Sequence, residues 1–445
     1  MFHLLTYTLQ LKQYIMTSKT NLKNRLLPAL VLVLAVMQLI DPSKIWTILL
    51  VGLGGLWLVS YIMARSLAAN LKLVREMRFG WIQVGDVLEE RFTLQNKGWI
   101  PATWVEIEDR STMPGYDASL ATGVDQSSSA RWRKNGICAR RGLYLLGDTL
   151  LHTGDLFGIY AVTIKDPSRT SLLVMPPVVP LPTLEIFPGG YSGEGRPTPH
   201  APENTLDASS VRQYVSGDSM NLIHWKTTAR LEKPYVRLFD GAPASDWWIL
   251  LDLQDAAQIG SEEDSTEEHG IILAASLADR GLRAHHGVGL VANGQALDRL
   301  PPRTGIGQEW EILRTLALAS TGTTSLGEVL EHIRPNLGHN ATLIIITPTV
   351  QLDWLTTVPL LRRRGITPTV LSLDPQTFGG QVGNKPLLTA LDKMGVAHHS
   401  IPRDLLDRPE ARPGTHGKRE FRISPTGRAI PVRALEDYSW RRLSE

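Results

Sequence analysis

Residues Asp246–Gln254, DWWILLDLQ, set five consecutive apolar side chains between two aspartates. A run this short and this apolar, without alternation, is the pattern of a strand covered on both faces, as in a parallel sheet. Downstream, helical and strand patterns alternate. Helices are expected over 267–281, 308–319, 325–334, 352–364 and 387–394, and strands over 288–292, 342–347 and 369–373. This alternation predicts a doubly wound, parallel α/β domain over 241–402. No Gly-x-x-x-x-Gly-Lys-Ser/Thr loop is present, and no Gly-x-Gly-x-x-Gly follows the first strand, which argues against a P-loop ATPase and a dinucleotide site.

Upstream, the chain changes character twice. Residues 182–240 begin with a Pro-, Gly- and Ser-rich linker. Residues 70–181 carry short alternating runs punctuated by Gly-Asp turns. In Val87–Gln95, Leu88, Phe92 and Leu94 oppose Glu89, Arg91, Thr93 and Gln95, a period of two that predicts a small antiparallel β-sandwich. Nothing in that domain suggests catalysis, and Cys138 reads as a buried small residue rather than a nucleophile.

Before it lie two uncharged runs, Leu26–Ile40 and Ile45–Met63, separated by Asp-Pro-Ser-Lys. At 1.5 Å per residue they cover about 22 and 28 Å, against a hydrocarbon core of about 30 Å. They predict a transmembrane helical hairpin over 26–64, preceded by a cytoplasmic leader, 1–25. Lys12, Lys19, Lys23 and Arg25 precede the hairpin, and Arg65, Lys72, Arg75 and Arg78 follow it. The positive-inside rule then places both termini in the cytoplasm and the protein in the cell membrane. Residues 1–15 read as an upstream extension, since Met16 opens a conventional basic leader. At the other end, residues 403–445 hold ten Lys or Arg against seven Asp or Glu and read as a mobile basic tail.

Composition agrees with a foldable, multidomain chain. Its 445 residues are 43% apolar and 20% charged, with a formal net charge of +2. The near-neutral balance gives no general argument for nucleic-acid binding, which needs a concentrated basic face. A single cysteine excludes internal disulfides and multi-cysteine metal sites and fits a reducing compartment. Mean hydropathy, −0.07, averages the apolar hairpin with a polar body.

The densest motif is VRQYVSGDSMNLIHWKTTARLEKPYVRLF, from Val211 to Phe239. Arg212, Lys226 and Arg230 set cations near Asp218 and Glu232, enough for an ion-pair network around Trp225, either as a structural clamp or as a partner-facing surface. A hydrolase reading is also open: Gly217-Asp218-Ser219-Met220 resembles the nucleophile block of a GDSL-type esterase, with Ser219, Asp218 and His224 as a triad, but the Asp-x-x-His pair and the Gly-x-Asn-Asp element of such enzymes are absent.

In Arg212, Tyr214, Gly217, Asp218, Ser219, Ile223, His224, Trp225, Lys226, Ala229 and Arg230 the block resembles the bacterial domain of unknown function 58 (DUF58) family, whose hallmark runs Arg-x-Tyr-x-x-Gly-Asp-Ser, Ile-His-Trp-Lys, Ala-Arg. Gly154-Asp155-Leu156-Phe157-Gly158 resembles that family's Asp-Pro-Phe-Gly element, with Leu for Pro. Asn221 and Arg237-Leu238 depart from its pattern.

The resemblance implies a membrane protein whose C-terminal domain is von Willebrand factor A-like. Such domains often hold Mg²⁺ through Asp-x-Ser-x-Ser and later Thr and Asp ligands. Here Asp252 matches, Gln254 offers only a carbonyl, Ala256 offers nothing, and Thr347 stands where an acid is common. The expectation is a degenerate site with no tightly held metal and no other cofactor. His285-His286 and His398-His399 are neighbours that point to opposite faces of extended chain, so neither pair chelates well.

Family genes commonly adjoin MoxR-type AAA+ ATPases. The leading expectation is therefore a non-enzymatic, membrane-anchored, cytoplasm-facing adaptor that works with such an ATPase and has no small-molecule substrate. A metal-dependent adhesion-type binder and the Ser219 hydrolase are the alternatives.

Overall fold

The computed structural model describes residues 16–77, 80–181, 184, 186, 210–214, 223–238, 246–338, 341–406, 421–423, 429–431 and 441–442. The chain divides into two compact units, Met1–Pro176 with Pro409–Glu445, and Pro177–Arg408.

In the first unit, strand β1 (Thr17–Leu22) precedes helices α1 (Leu26–Ile40) and α2 (Lys44–Asn70). The leader expected over 1–25 is thus in part a strand. The helices reverse at Asp41–Ser43, where Ser43 Oγ accepts from Trp46 N and caps α2. They pack where Gly54 leaves room for Val31. Of the two, α2 is long and apolar enough to cross a membrane, while α1 is a shorter apolar helix. Most of their apolar side chains point outward, among them Leu26, Leu32, Leu39, Ile45, Ile48 and Val51.

Eight further strands follow: β2 (Leu71–Met77), β3 (Trp81–Gln83), β4 (Val87–Asn96), β5 (Ala102–Glu108), β6 (Leu120–Val124), β7 (Ser128–Ile137), β8 (Gly142–Gly154) and β9 (Tyr160–Met175). One sheet runs β1-β9-β8-β5-β6, with β3 parallel to β9. The other runs β2-β4-β7 and is extended at β2 by Arg441–Arg442, so part of the expected mobile tail is a paired strand. The inward faces of both sheets share one core, including Leu73, Phe92, Val105, Leu151 and Ile164, and Ala64 and Leu67 of α2 join it. Period-two alternation thus supplies the two buried faces. The β8–β9 hairpin is bulged at Gly147, whose φ of 113° and close approach to Ser168 O exclude a side chain.

In the second unit, β10 (Ser210–Gln213) and β11 (Tyr235–Leu238) pair antiparallel around α3 (Trp225–Leu231). The α/β region follows with β12 (Trp247–Leu251), α4 (Thr266–Arg283), β13 (Val288–Asn293), β14 (Leu297–Arg303), α5 (Ile306–Leu318), α6 (Leu326–Ile333), β15 (Thr342–Thr347), α7 (Val358–Arg362), β16 (Thr367–Leu373), α8 (Lys385–Lys393) and β17 (Ala397–Ile401). The sheet order is β14-β13-β12-β15-β16-β17.

β12, β13 and β15 are buried throughout, as the unbroken apolar run of β12 predicts. The sheet is not wholly parallel, because β14 lies antiparallel at the edge. Its sequence, LDRLPPR, escapes the strand pattern because it is polar and carries two prolines, which only an edge tolerates. Helices α6, α7 and α8 pack on Leu250, Leu343, Ile345 and Val370, while α4 lies against Leu251 and Ile346 on the opposite face.

Candidate functional site

At the carboxyl ends of the central strands, Asp252 follows β12, Asn293 closes β13 and Thr347 closes β15. A doubly wound sheet places ligand sites at this edge. Asp252 is 2% exposed. Its Oδ2 accepts from Thr347 Oγ1 at 2.6 Å, and its Oδ1 accepts from Asn293 Nδ2 and from Gln254 N, both at 3.1 Å. Both side-chain donors are fixed in turn: Thr347 Oγ1 accepts from Thr349 N at 3.0 Å, and Asn293 Oδ1 accepts from Leu253 N while its Nδ2 also reaches Thr324 O.

Burial raises the Asp252 carboxyl above the ordinary aspartate range, and the bonds from Thr347, Asn293 and Gln254 pull against it. Sequence reasoning brought Asp252 and Thr347 to one edge and missed Asn293. The signal available was its place at the end of an apolar strand neighbouring β12. Gln254 contributes a backbone N–H, and Ala256 is exposed on the following turn. Among the described residues, no group of three His, Cys, Asp or Glu side chains has the arrangement of a metal site. Asp374, at the end of β16, caps a short turn through Gln376 N.

The signature block forms a small hairpin with a helix between its strands. Tyr214 N donates to Pro234 O at 2.8 Å, His224 N to Tyr235 O at 2.7 Å, and Tyr235 N to Thr228 Oγ1 at 3.0 Å. His224 caps α3: its Nδ1 accepts from Thr227 N at 3.2 Å and lies 2.6 Å from Thr227 Oγ1. In a Ser-His-acid triad the orienting acid stands at Nδ1, and here Thr227 takes that place.

Of the network expected around Trp225, Asp218 and the Arg212 side chain lie outside the described residues. Trp225 is 68% exposed, Leu231 is 50% exposed, Lys226 and Arg230 also face solvent, and no ion pair joins them to Glu232. Arg212 pairs with Val236 in the backbone ladder. Gly217, Asp218 and Ser219 lie outside the described residues.

The β-sandwich, in which the sequence suggests no catalysis, holds a buried polar cluster. Arg75 donates to both oxygens of Glu90 at 2.9 and 2.8 Å, to Asp109 Oδ1 at 2.6 Å, to Ser111 Oγ at 2.9 Å and to Thr149 Oγ1 at 3.2 Å. Tyr116 donates its hydroxyl to Glu90. The Arg75, Glu90 and Asp109 side chains are 4%, 0% and 2% exposed, and the guanidinium lies 5.0 Å from the Phe92 ring centre. Burial alone would lower the Arg75 pKa, but bonds and charge from Glu90, then Asp109, outweigh it and raise the value. Burial followed by the Glu90 charge raises Tyr116, keeping its proton in place.

The alternation did contain this cluster. Arg75 falls in register with Leu71, Leu73 and Met77, and Glu90 with Leu88 and Phe92, so both charges sit on the inward face.

Cys138 is buried, and burial pushes its thiol up to about 12, which is the behaviour of a packing residue. His285 lies in the turn after α4 at a φ of 62°, not in extended chain as expected, and His286 stacks on Trp247 at 4.8 Å; His398 and His399 are neighbours on β17, with His398 Nδ1 3.0 Å from Val396 O.

The chain is similar to several proteins of unassigned role. Uncharacterized protein Rv1480 of Mycobacterium tuberculosis (strain ATCC 25618 / H37Rv) is 31% identical over 109 residues, 24% of this chain and 34% of the relative. The chain thus spans about a third of the length of the mycobacterial relatives it matches. Uncharacterized protein YeaD of Bacillus subtilis (strain 168) is 24% identical over 296 residues, 63% of this chain and 71% of the relative. Among solved structures, the SpRpn10 VWA domain aligns at a TM-score of 0.27 and 13% identity, covering 36% of this chain and 89% of that one. Residues 210–376, from the signature hairpin through β16, match the family described as Protein of unknown function DUF58.

Proposed function

We propose that this protein is a membrane-anchored, cytoplasm-facing adaptor whose partner is a MoxR-type AAA+ ATPase, bound through the signature block. The observation that carries this reading is α3: a helix with no buried residue that presents Trp225 and Leu231 beside Lys226 and Arg230. An exposed tryptophan flanked by cations is the composition of a protein-binding anchor.

The anchor itself is the pair α1 and α2, read as two spans with both termini in the cytoplasm. Their outward apolar side chains and the basic residues at the open end of the hairpin support that reading. The C-terminal region is read as a von Willebrand factor A-like domain, supported by a strand order equivalent to 3-2-1-4-5-6 with one antiparallel edge.

In this reading the Asp252 edge is structural. Its carboxylate already serves three donors, and Ala256 offers a metal nothing, so the domain holds no tight Mg²⁺. Micromolar Mg²⁺ binding in calorimetry, lost in Asp252→Ala, would overturn that point.

The adaptor reading is tested by affinity capture from detergent-solubilised membranes with the intact chain and with Trp225→Ala. Recovery of an AAA+ ATPase with the parent, reduced several-fold by the variant, is expected. Recovery of no ATPase from the parent removes the adaptor role, and equal recovery from both removes α3 as its contact.

A further inference from the structure

The first unit carries an apolar tip that the adaptor reading leaves unused, the turn Asp155–Gly158 between β8 and β9. Asp155 is buried, and its Oδ1 accepts from Tyr160 N at 2.6 Å while its Oδ2 accepts from Phe157 N at 3.0 Å. Gly158 completes the reversal at a φ of 68°. The turn's own carboxylate thus holds its backbone in shape, and Leu156 and Phe157 are left outside, 59% and 52% exposed. Two adjacent, well-held apolar side chains directed at solvent are stabilised by a cover.

The position of the turn identifies that cover. Ile159 O accepts from Lys23 N at 2.8 Å and Asn24 N at 3.2 Å, the residues that lead into α1. Tyr160 Oη accepts from Trp57 Nε1 of α2 at 2.8 Å, and the Tyr160 ring meets that of Tyr61 edge-on at 5.8 Å. Trp104, half-exposed, lies close against Gly154 at the foot of the turn. The tip therefore stands where α1 begins and where α2 runs from its outward apolar stretch into the sandwich core at Ala64 and Leu67. Trp57, Tyr61, Trp104 and Tyr160 gather at this level, with Lys23, Arg25 and Arg65 nearby in sequence. Amphipathic aromatics with cations mark the boundary between hydrocarbon and water.

We propose that Leu156 and Phe157 insert into the lipid interface beside α2, so that the sandwich rests on the bilayer through its own loop as well as through its helices. The occupant is acyl chain and upper headgroup lipid. The inference rests on reading α2 as a membrane span, and an apolar tip of this kind seats about 5–10 Å into the headgroup and acyl boundary.

The test uses the full chain with Cys138→Ala and one new cysteine at Leu156, Phe157, Val51 or Ser128, each carrying an environment-sensitive fluorophore. The protein is reconstituted into vesicles of phosphatidylethanolamine and phosphatidylglycerol, with doxyl groups on the upper acyl chains as quenchers. Labels at Leu156 and Phe157 are expected to be quenched several-fold more than the label at Ser128, a solvent-facing position on β7. Quenching at Val51 alone overturns the loop insertion while α2 remains a span, and leaves the tip to a protein partner. Quenching at none of Leu156, Phe157 and Val51 overturns the span and the insertion together.

Discussion

Replacing Arg75 by Met removes the cation that pairs with two carboxylates kept at 0% and 2% side-chain exposure. Methionine fills much of the same volume, so the loss is chiefly electrostatic: two charged hydrogen bonds to Glu90, one to Asp109, and those to Ser111 and Thr149. Removing one partner of a buried ion pair costs about 3–5 kcal/mol, because the remaining charge is left without compensation. For a unit of this size, 1 kcal/mol shifts the midpoint by about 2–4 °C, so a fall of about 6–20 °C is expected.

The control is Arg110→Ala. Its pair with Glu108 has a similar distance, 3.0 Å, but its side chains are 48% and 45% exposed, and its removal is expected to cost less than about 1 kcal/mol. Thermal unfolding of the full chain in detergent, followed by near-ultraviolet circular dichroism and by hydrogen exchange of β2 and β4 peptides, reads both variants. Adding Glu90→Gln and Asp109→Asn to Arg75→Met removes the stranded charges and is expected to recover about half the loss or more. Equal midpoints for Arg75→Met and Arg110→Ala, or no recovery on neutralising the acids, would refute the assignment of this cluster as the electrostatic tie of the sandwich.

Two further outcomes follow from buried groups. The Asp252 carboxyl is raised by burial, so the folded state holds its proton to higher pH than the unfolded chain does. Its contribution to stability is present at acid pH and falls as pH rises from the ordinary aspartate range through the raised value. Asp252→Asn is expected to flatten that dependence, read as the pH slope of hydrogen exchange in β12 peptides of the full chain. An unchanged slope would assign the dependence to another group. Cys138, pushed up to about 12 and buried beside Met113, is expected to resist maleimide in the folded chain and to react fully in denaturant. Rapid labelling of the folded protein would place it in a mobile or open environment.

Local pattern carried much of the architecture. The unbroken apolar run of β12 requires cover on both faces, and the alternation of β4 requires cover on one, so a central strand and a half-buried strand are distinct in their residues alone. The boundaries of β15 coincide with the predicted Thr342–Thr347 because apolar residues fill every position between two threonines. Edges were less legible. β14, β17 and β1 owe their conformation to a neighbour's free ladder rather than to a pattern of their own, and Arg441–Arg442 pairs with β2 from the far end of the chain.

The sequence by itself determined where apolar surface is concentrated: along a helix long and apolar enough to cross a membrane, on the inward faces of a sandwich, and through the centre of a doubly wound sheet. Those are properties of short windows, because burial depends on hydropathy at periods of two and 3.6 residues. Only the tertiary structure decided which polar groups meet. Arg75 reaches Asp109 and Thr149 across 34 and 74 residues, and Asp252 reaches Asn293 and Thr347 across 41 and 95. Their partnerships are fixed by strand order and register, which no local window contains. The same holds for Leu156 and Phe157, two ordinary turn residues until the chain brings Tyr160, at the start of β9, against Trp57 of α2.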